Sequence, residues 1–346
     1  MEFLRPVRGA TRDVVAALDG WLAVPGEPEP LVVETSGSTG RPKRVVLSRR
    51  AVLASVTATE RRLGASGRWL LTLPVSYVAG LQVACRSLVA GRQPALLEEH
   101  GSFVAATDAM TSTGSTDEER FVSLVPTQLH RMLDVPEEVA ALRTFHTVLL
   151  GGGPVDAALR ERAAGAGVRV VATYGSSETA GGCVYDGYAL DGVALAIGRG
   201  GRIRIGGPTL FDGYEGDPEL TKSVLEDGWF LTSDAGRLDE DGRLHVLGRV
   251  DDVVVSGGVN VPTPAVAARL RAHPAVAAAE VLGVPDEEWG NRVVAFVVGD
   301  LSLPEARAWV GEAHPRSWAP RALVLLDEIP LLANGKPDRV RLRGMA

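Results

Sequence analysis

"TVLLGGGPVDAALRERAAGAGVRVVATYG", Thr147–Gly175, decides the fold class. Its first four residues are β-branched or leucine, too short a run for a helix, so they read as a buried strand. Three glycines and Pro154 then break the chain. "VDAALRERAAGAG" has the spacing of a helix, and "VRVVATYG" reads as a second strand. Strand, helix and strand in so few residues make a parallel unit, which needs a sheet with helices on its faces.

The same order repeats outward from there. "RWLLTLP" reads as a strand, and "AGLQVACRSLVAG" as a helix ended by Gly91. "ATDAMTSTGSTDEER", Ala106–Arg120, is polar and reads as a loop. After Gly200 the texture changes to hairpins. "GRLDEDGRLHVLGR" places two strands around Asp241-Gly242, a strong turn signal. From about Asp251, "AVAARLRAHP" and "LPEARAWVGEAHP" read as helices and "RVVAFVVGD" as a strand. The expected organisation is a large α/β domain over 1–249, with helices on both faces of its sheet. A small α+β domain over 250–346 follows, with the boundary at Arg249–Asp252.

Composition excludes several classes. The chain has 346 residues with a net charge of −7, which argues against nucleic acid as a partner. No apolar run is long enough to span a membrane, and "MEFLRPVRGATRDVV" has no signal-peptide core. A cytoplasmic enzyme is the expectation. Cys85 and Cys183 have neither metal nor redox spacing, and the six histidines form no paired motif. Both cysteines read as small core residues.

Six stretches carry candidate chemistry. "ETSGSTGRPKRVVLS", Glu34–Ser48, fails the P-loop pattern, because Pro42 stands where the second glycine belongs and Arg44 follows Lys43. Thr35, Ser36, Gly37, Ser38, Thr39, Gly40 and Lys43 still combine bendable backbone, hydroxyls and a cation, which suits a polyphosphate. A flexible surface turn is the plain alternative. In "TYGSSETAGG", after a strand, Tyr174 can stack on a base and Glu178 can hold Mg²⁺. A surface glutamate is the plain reading there. "GGGP", Gly151–Pro154, lets backbone approach a flat ring, or is simply a strand-to-helix turn. Asp234 in "LTSDAG" suits the two hydroxyls of a ribose, or is a turn aspartate. "GRVDDVVVSGGVNV", Gly248–Val261, sets Arg249 and two aspartates before a Gly-Gly turn, or is a linker hairpin. "PLLANGKPDR" sets Lys336 on a glycine-bearing loop, or leaves it solvated.

In this order the stretches resemble the core motifs of the adenylate-forming superfamily of acyl-CoA synthetases, luciferases and adenylation domains. The resemblance spans nearly the whole chain from Glu34. "LLTLPVSYVAGLQVACRSLVAG", "SLVPTQLHRML" and "YGSSETAGGCVYDG" narrow it to the o-succinylbenzoate–CoA ligases of menaquinone synthesis. The chain departs from that pattern at Tyr77, where relatives often carry histidine. It also lacks the glutamate that commonly follows the Gly-Gly turn.

The resemblance implies an AMP-forming ligase that uses ATP, Mg²⁺ and CoA to activate a carboxylic acid. It assigns Ser36–Gly40 with Lys43 to the pyrophosphate, and Glu178 with Thr35 to Mg²⁺. Gly152, Gly153, Pro154 and the run Tyr174, Gly175, Ser176, Ser177 frame the nucleotide, while Asp234 and Arg249 hold ribose. It makes Lys336 catalytic in adenylation, Asp251 the hinge of a mobile small domain, and Ser256, Gly257 and Gly258 the wall of the thiol channel. By position, Tyr77, Gln82 and Arg86 are the candidates for the acid. A ligase for another aryl or acyl acid, and a catalytically degenerate nucleotide-binding homologue, stay open, as does a homodimer.

Overall fold

The structure is a computed structural model that describes residues 3–35, 42–113, 118–330 and 337–346. Ser36–Gly40 of the phosphate motif and Lys336 therefore lie outside the described residues. Contacts divide the chain into two compact units, Met1–Leu195 with Ile205–Leu231, and Ala196–Arg204 with Thr232–Ala346.

The first unit contains strands β1 (Leu31–Glu34), β2 (Arg44–Leu47), β3 (Arg68–Leu71), β4 (Ala95–Leu96), β5 (Arg120–Leu124), β6 (Thr147–Leu150), β7 (Val170–Ser176), β8 (Gly181–Tyr185) and β9 (Tyr188–Ala189). Its helices are α1 (Thr11–Ala23), α2 (Arg49–Leu63), α3 (Val78–Val89), α4 (Phe103–Thr113), α5 (Pro126–Met132), α6 (Pro136–Leu142) and α7 (Ala157–Gly165). The main sheet has the order β4-β3-β5-β6-β7-β8-β9. Strands β4 to β7 pair in parallel, and β8 and β9 are antiparallel additions. The order reverses at β3, which has its successors on both sides. A crevice opens beyond the carboxyl ends of strands at such a point.

Alternation along the strands feeds two cores. Trp69 and Leu71 of β3, Phe121 of β5 and Leu149 of β6 point to one face, where they pack with α1, α2 and α3. Leu70, Val122, Leu124, Val148 and Leu150 point to the other, against α4 to α7. This is the period of two expected of strands buried on both sides. Trp69 stacks on Phe121 with centroids 4.8 Å apart.

One expectation is overturned. Ala106–Thr113 is helical and belongs to α4, not to a loop. Phe103, Ala106 and Met110 recur at helical spacing and are buried in the second core. The Thr107 and Thr111 hydroxyls donate to the carbonyls of Phe103 and Thr107, so the polar side chains satisfy themselves within the helix.

Strand Trp229–Leu238 enters the second unit at Thr232, where its residues Asp234–Leu238 pair with Leu244–Arg249 as the Asp-Gly hairpin requires. A shorter hairpin joins Val253–Ser256 to Val259–Pro262. Strands Val276–Asp286, Gly290–Gly299 and Ala322–Leu325 form a separate sheet, covered by helices Thr263–Arg271 and Leu303–Ala313.

Candidate active site

The phosphate motif begins where β1 ends and returns at the start of β2. Its foot is clasped: the Thr35 N–H donates to the Lys43 carbonyl at 2.9 Å, and the Lys43 N–H donates to the Thr35 hydroxyl at 3.3 Å. A two-residue strand, Gly213–Tyr214, extends this small sheet by pairing with Val46 and Val45.

Tyr174, Gly175 and Ser176 lie in β7, and a 3₁₀ turn over Ser177–Thr179 follows. Gly175 is required by close packing, since a Cβ there would stand 2.1 Å from the Gly181 carbonyl oxygen. The turn is braced by Thr179, whose hydroxyl accepts from the Ser176 N–H at 2.9 Å and donates to the Gly181 carbonyl at 2.7 Å. Glu178 is only 9% exposed. Its Oε1 accepts from the Tyr214 hydroxyl at 2.8 Å, and its backbone carbonyl accepts from the Phe211 N–H at 2.9 Å. Burial first, and the adjacent Glu178 charge second, push the Tyr214 phenol well above its ordinary value, so it stays a donor. The Lys43 ammonium lies 5.2 Å from the centre of the Tyr214 ring.

A cavity of about 150 Å³ sits at the carboxyl ends of β3, β5, β6 and β7. Gln82, Arg86, Gly151, Gly152, Ser176 and Tyr185 are among its walls. Gln82 and Arg86 are one turn apart on α3 and are buried at 1% and 4% exposure. The Gln82 amide donates to the Ala180 carbonyl at 2.7 Å, across a residue held at positive φ. An Arg86 terminal nitrogen donates to the Tyr185 hydroxyl at 3.3 Å, which in turn meets the Thr59 hydroxyl at 3.0 Å. The guanidinium lies 5.1 Å from the centre of the Trp69 ring. Glu60 is raised in pKa by burial, with the Arg86 charge opposing.

Three buried polar atoms of the cavity's lining residues have no hydrogen-bond partner among the described residues: Gln82 Oε1, Arg86 Nε and Ser176 Oγ. Unpaired buried polar atoms are costly, so a polar ligand is their natural complement. Gly153 and Pro154 are exposed beside this cavity. Tyr77 precedes α3 and is 48% exposed, and it is not among the cavity's walls. Larger hollows of about 470 and 590 Å³ lie elsewhere on the first unit and are lined by none of the candidate site residues.

The second unit brings Asp234 and Arg249 together. They are register partners in the hairpin, with Arg249 Nε 3.9 Å from Asp234 Oδ1. Asp234 lies within its strand, not after it. Asp251 is in a 3₁₀ turn over Val250–Asp252. Gly257 and Gly258 form the two-residue turn of the next hairpin, with φ of 57° and 79°, values that favour glycine. Ser256 is buried at the strand end, and Gly257 packs against Trp289, which a Cβ would approach to 2.6 Å. Arg321 stacks on that ring at 3.2 Å. On either side of the stretch that holds Lys336, the Asp338 N–H donates to the Pro330 carbonyl at 2.8 Å. Arg339 pairs with Asp252, and with Glu280 at 3.1 Å.

Among the described residues no three His, Cys, Asp or Glu side chains gather as a metal cage. Magnesium bound with a nucleotide needs none, because it takes most of its oxygens from phosphates and water and one or two from carboxylates. Glu178, oriented by Tyr214 near the foot of the phosphate loop, fits that role. Cys85 and Cys183 are fully buried, and burial pushes both thiols up to about 12, so neither is a nucleophile.

Sequence reading missed Tyr214, Tyr185 and Thr59. Tyr214 sits in "FDGYEGD", where only the flanking glycines mark it. Its partner Glu178 is 36 residues away, beyond the reach of any local pattern.

Family models described as AMP-binding enzyme and AMP-binding enzyme C-terminal domain match residues 31–199 and 265–336. A probable 2-succinylbenzoate–CoA ligase of Mycobacterium tuberculosis is 44% identical, over 90% of this chain and 83% of its own length. Among solved structures, Bacillus subtilis o-succinylbenzoate CoA synthetase (MenE) with the acyl-adenylate OSB-AMP superposes with a TM-score of 0.73 at 28% identity. That match covers 90% of this chain and 68% of the other. The same enzyme with ATP and a magnesium ion gives 0.72 at 28% identity, covering 90% and 69%.

Proposed function

The chain belongs to the AMP-binding enzymes, within the family of the 2-succinylbenzoate–CoA ligases, and from that premise we propose that it joins o-succinylbenzoate to CoA in two steps. In the first, a carboxylate oxygen of the acid attacks the α-phosphorus of ATP, and the bond to the β-phosphate oxygen breaks. Pyrophosphate leaves and an acyl-adenylate remains. In the second, the CoA sulfur attacks the acyl carbon and AMP departs with the carbonyl-bound oxygen. The thiol proton passes to solvent or to the leaving phosphate.

The observation that carries this reading is the buried Gln82–Arg86 cavity beside the Glu178 turn. An acid with an apolar ring and a second carboxylate needs apolar walls with a few donors. Leu73, Val78 and Leu149 supply the first, and Arg86 Nε and Ser176 Oγ the second. The guanidinium meets the carboxylate that does not react, and Gln82 sets its orientation.

Glu178 and Thr35 hold magnesium, which neutralises phosphate charge when bound. Lys43 meets the departing pyrophosphate. Gly152, Gly153 and Tyr174 frame adenine, and Asp234 with Arg249 takes the ribose hydroxyls. Lys336 stabilises negative charge developing between carboxylate and α-phosphate. For the second step the small domain turns about Asp251, which withdraws Lys336 and brings the Ser256–Gly258 turn to the thiol path.

Pyrophosphate release and CoA-dependent AMP release, measured with o-succinylbenzoate, benzoate and medium-chain fatty acids, test the proposal. Highest kcat/KM for o-succinylbenzoate is expected. A straight-chain acid winning would leave the ligase and remove the substrate.

A further inference from the structure

Tyr214 belongs to none of the motifs read from the sequence, yet it touches two of them. Its backbone is fixed from several directions. It pairs with Val45 in the small sheet, and its N–H donates to the Thr221 hydroxyl at 2.9 Å. The neighbouring Glu215 N–H donates to the Arg44 carbonyl at 2.8 Å, and Arg44 pairs with the Glu215 carboxylate at 2.8 Å. Phe211 packs edge-on against the ring, with centroids 5.0 Å apart, while its own N–H holds the Glu178 carbonyl. The ring is 6% exposed. A side chain so anchored can transmit position, because its rotamer is set by packing.

Its two ends then address two different groups. The hydroxyl donates to Glu178 Oε1 at 2.8 Å, which leaves the carboxylate one defined orientation. The ring face lies 5.2 Å from the Lys43 ammonium, within the range of cation–π attraction. Lys43 stands at the described foot of the phosphate loop, and Glu178 at the turn after β7. We infer that Tyr214 is a positioning residue that sets the Glu178 carboxylate through its hydroxyl and the Lys43 ammonium through its ring. Metal and phosphate arms of the site thereby keep one spacing. The inference rests on the proposed role of Glu178 toward magnesium.

The two ends can be cut separately. Tyr214→Phe removes the hydroxyl and keeps the ring, whereas Tyr214→Leu removes both. ATP affinity of the full chain is measured by calorimetry, once with magnesium and once with EDTA, for these variants, Glu178→Gln and the double variant Tyr214→Phe/Glu178→Gln. Tyr214→Phe is expected to weaken ATP about tenfold with magnesium, the scale of a lost hydrogen bond to a charged group, and less than twofold in EDTA. Tyr214→Leu is expected to weaken ATP about threefold in EDTA as well, the scale of a weak cation–π contact. On the Glu178→Gln background, Tyr214→Phe is expected to add almost nothing, because both changes cut one path.

Equal weakening by Tyr214→Phe with and without magnesium, or full additivity with Glu178→Gln, would overturn the inference and leave Tyr214 a packing residue. Glu178→Gln without effect on magnesium-dependent affinity is a different failure, since it removes Glu178 from the metal and the hydroxyl's role with it. If Tyr214→Leu does not fold, as judged by circular dichroism, the near-isosteric Phe variant still decides the hydroxyl. Lys43→Met then tests the cation the ring would hold: it should weaken ATP in EDTA at least as much as loss of the ring would, while Lys43→Arg restores most of it, and no loss in EDTA would overturn the ring's role.

Discussion

The two units hold their motif residues by opposite means. In the first, three of them, two on α3 and one in the turn after β7, are buried: Gln82 at 1%, Arg86 at 4% and Glu178 at 9% exposure. Their partners come from distant elements, and packing fixes each rotamer. In the second unit Asp234, Arg249, Asp251, Gly257 and Gly258 sit on hairpins and turns, and Ser256 is buried at a strand end. Arg249 and Arg339 are half exposed and are aligned by strand register and by ion pairs. Exposed ion pairs are weak, typically 0–1 kcal/mol. Substitution of these buried first-unit residues should therefore damage stability and chemistry together, whereas substitution of the second unit's exposed charged residues should report chiefly on chemistry.

The largest effect falls on the second unit. Lys336→Ala should slow adenylate formation by about 10²-fold or more, the scale of removing a preorganised charge-stabilising donor. Thioester formation from pre-made acyl-adenylate and CoA should stay near wild type, with an unchanged melting temperature. Asp251→Pro should give the mirror image, adenylation kept and the thioester step lost, because proline restricts a hinge. Equal slowing of both half-reactions by either variant would break the division of labour.

Next comes Gly175→Ala in the first unit. The new methyl must displace the Gly181 carbonyl that it would meet at 2.1 Å. Overpacking of this kind costs about 1–3 kcal/mol. A lowered denaturation midpoint together with slower adenylation is expected. In contrast, Gly258→Ala, with open space around it and only a positive φ of 79° to oppose it, should cost about 1 kcal/mol. A stable Gly175→Ala enzyme would show that the close approach relaxes freely.

Arg86→Ala sharpens the comparison further, since its side chain serves both fold and substrate. Loss of its bond to Tyr185 should cost roughly 1–3 kcal/mol of stability. kcat/KM for o-succinylbenzoate should fall at least tenfold more than for benzoate, which lacks the second carboxylate. An equal loss for both acids would make Arg86 purely structural.

The smallest effect is in pH, and both units share it. His146 in the first unit and His314 in the second have pKa values lowered from 6.5, each chiefly by burial and then by nearby arginines, Arg169 and Arg269 respectively. The unfolded chain therefore takes up these protons first. Their contribution to stability is complete above pH 6.5 and is lost as pH falls toward the depressed folded values. Melting temperatures between pH 7.5 and 5.5 should decline in wild type and decline less in His146→Gln and His314→Gln. A flat wild-type profile would remove both groups from the acid response.

Much of this was legible beforehand because the signals are local. Thr147–Leu150, α7 and β7 follow from apolar runs and breakers, and the Asp241-Gly242 and Gly257-Gly258 hairpins from turn chemistry. The reading failed at α4, where the polar residues Thr107, Asp108 and Thr111 interrupt a narrow apolar stripe in the sequence. Such residues are weak helix formers, and only packing against α6 and β4 makes that stripe decisive. It also allowed Asp234 as a turn aspartate, although the pairing with Arg249 keeps it within its strand.

By itself the sequence determined which chemical groups the chain carries and in what order, and that order identified the family. Tertiary structure decided which of them meet. Tyr214 reaches Glu178 across 36 residues, Arg86 reaches Tyr185 across 99, and Thr59 reaches Tyr185 across 126. Periodicity reports only neighbours within a turn of helix or a step of strand. Contacts at these separations arise when sheet order, set by burial of both faces at once, brings the carboxyl ends of separate strands to one crevice.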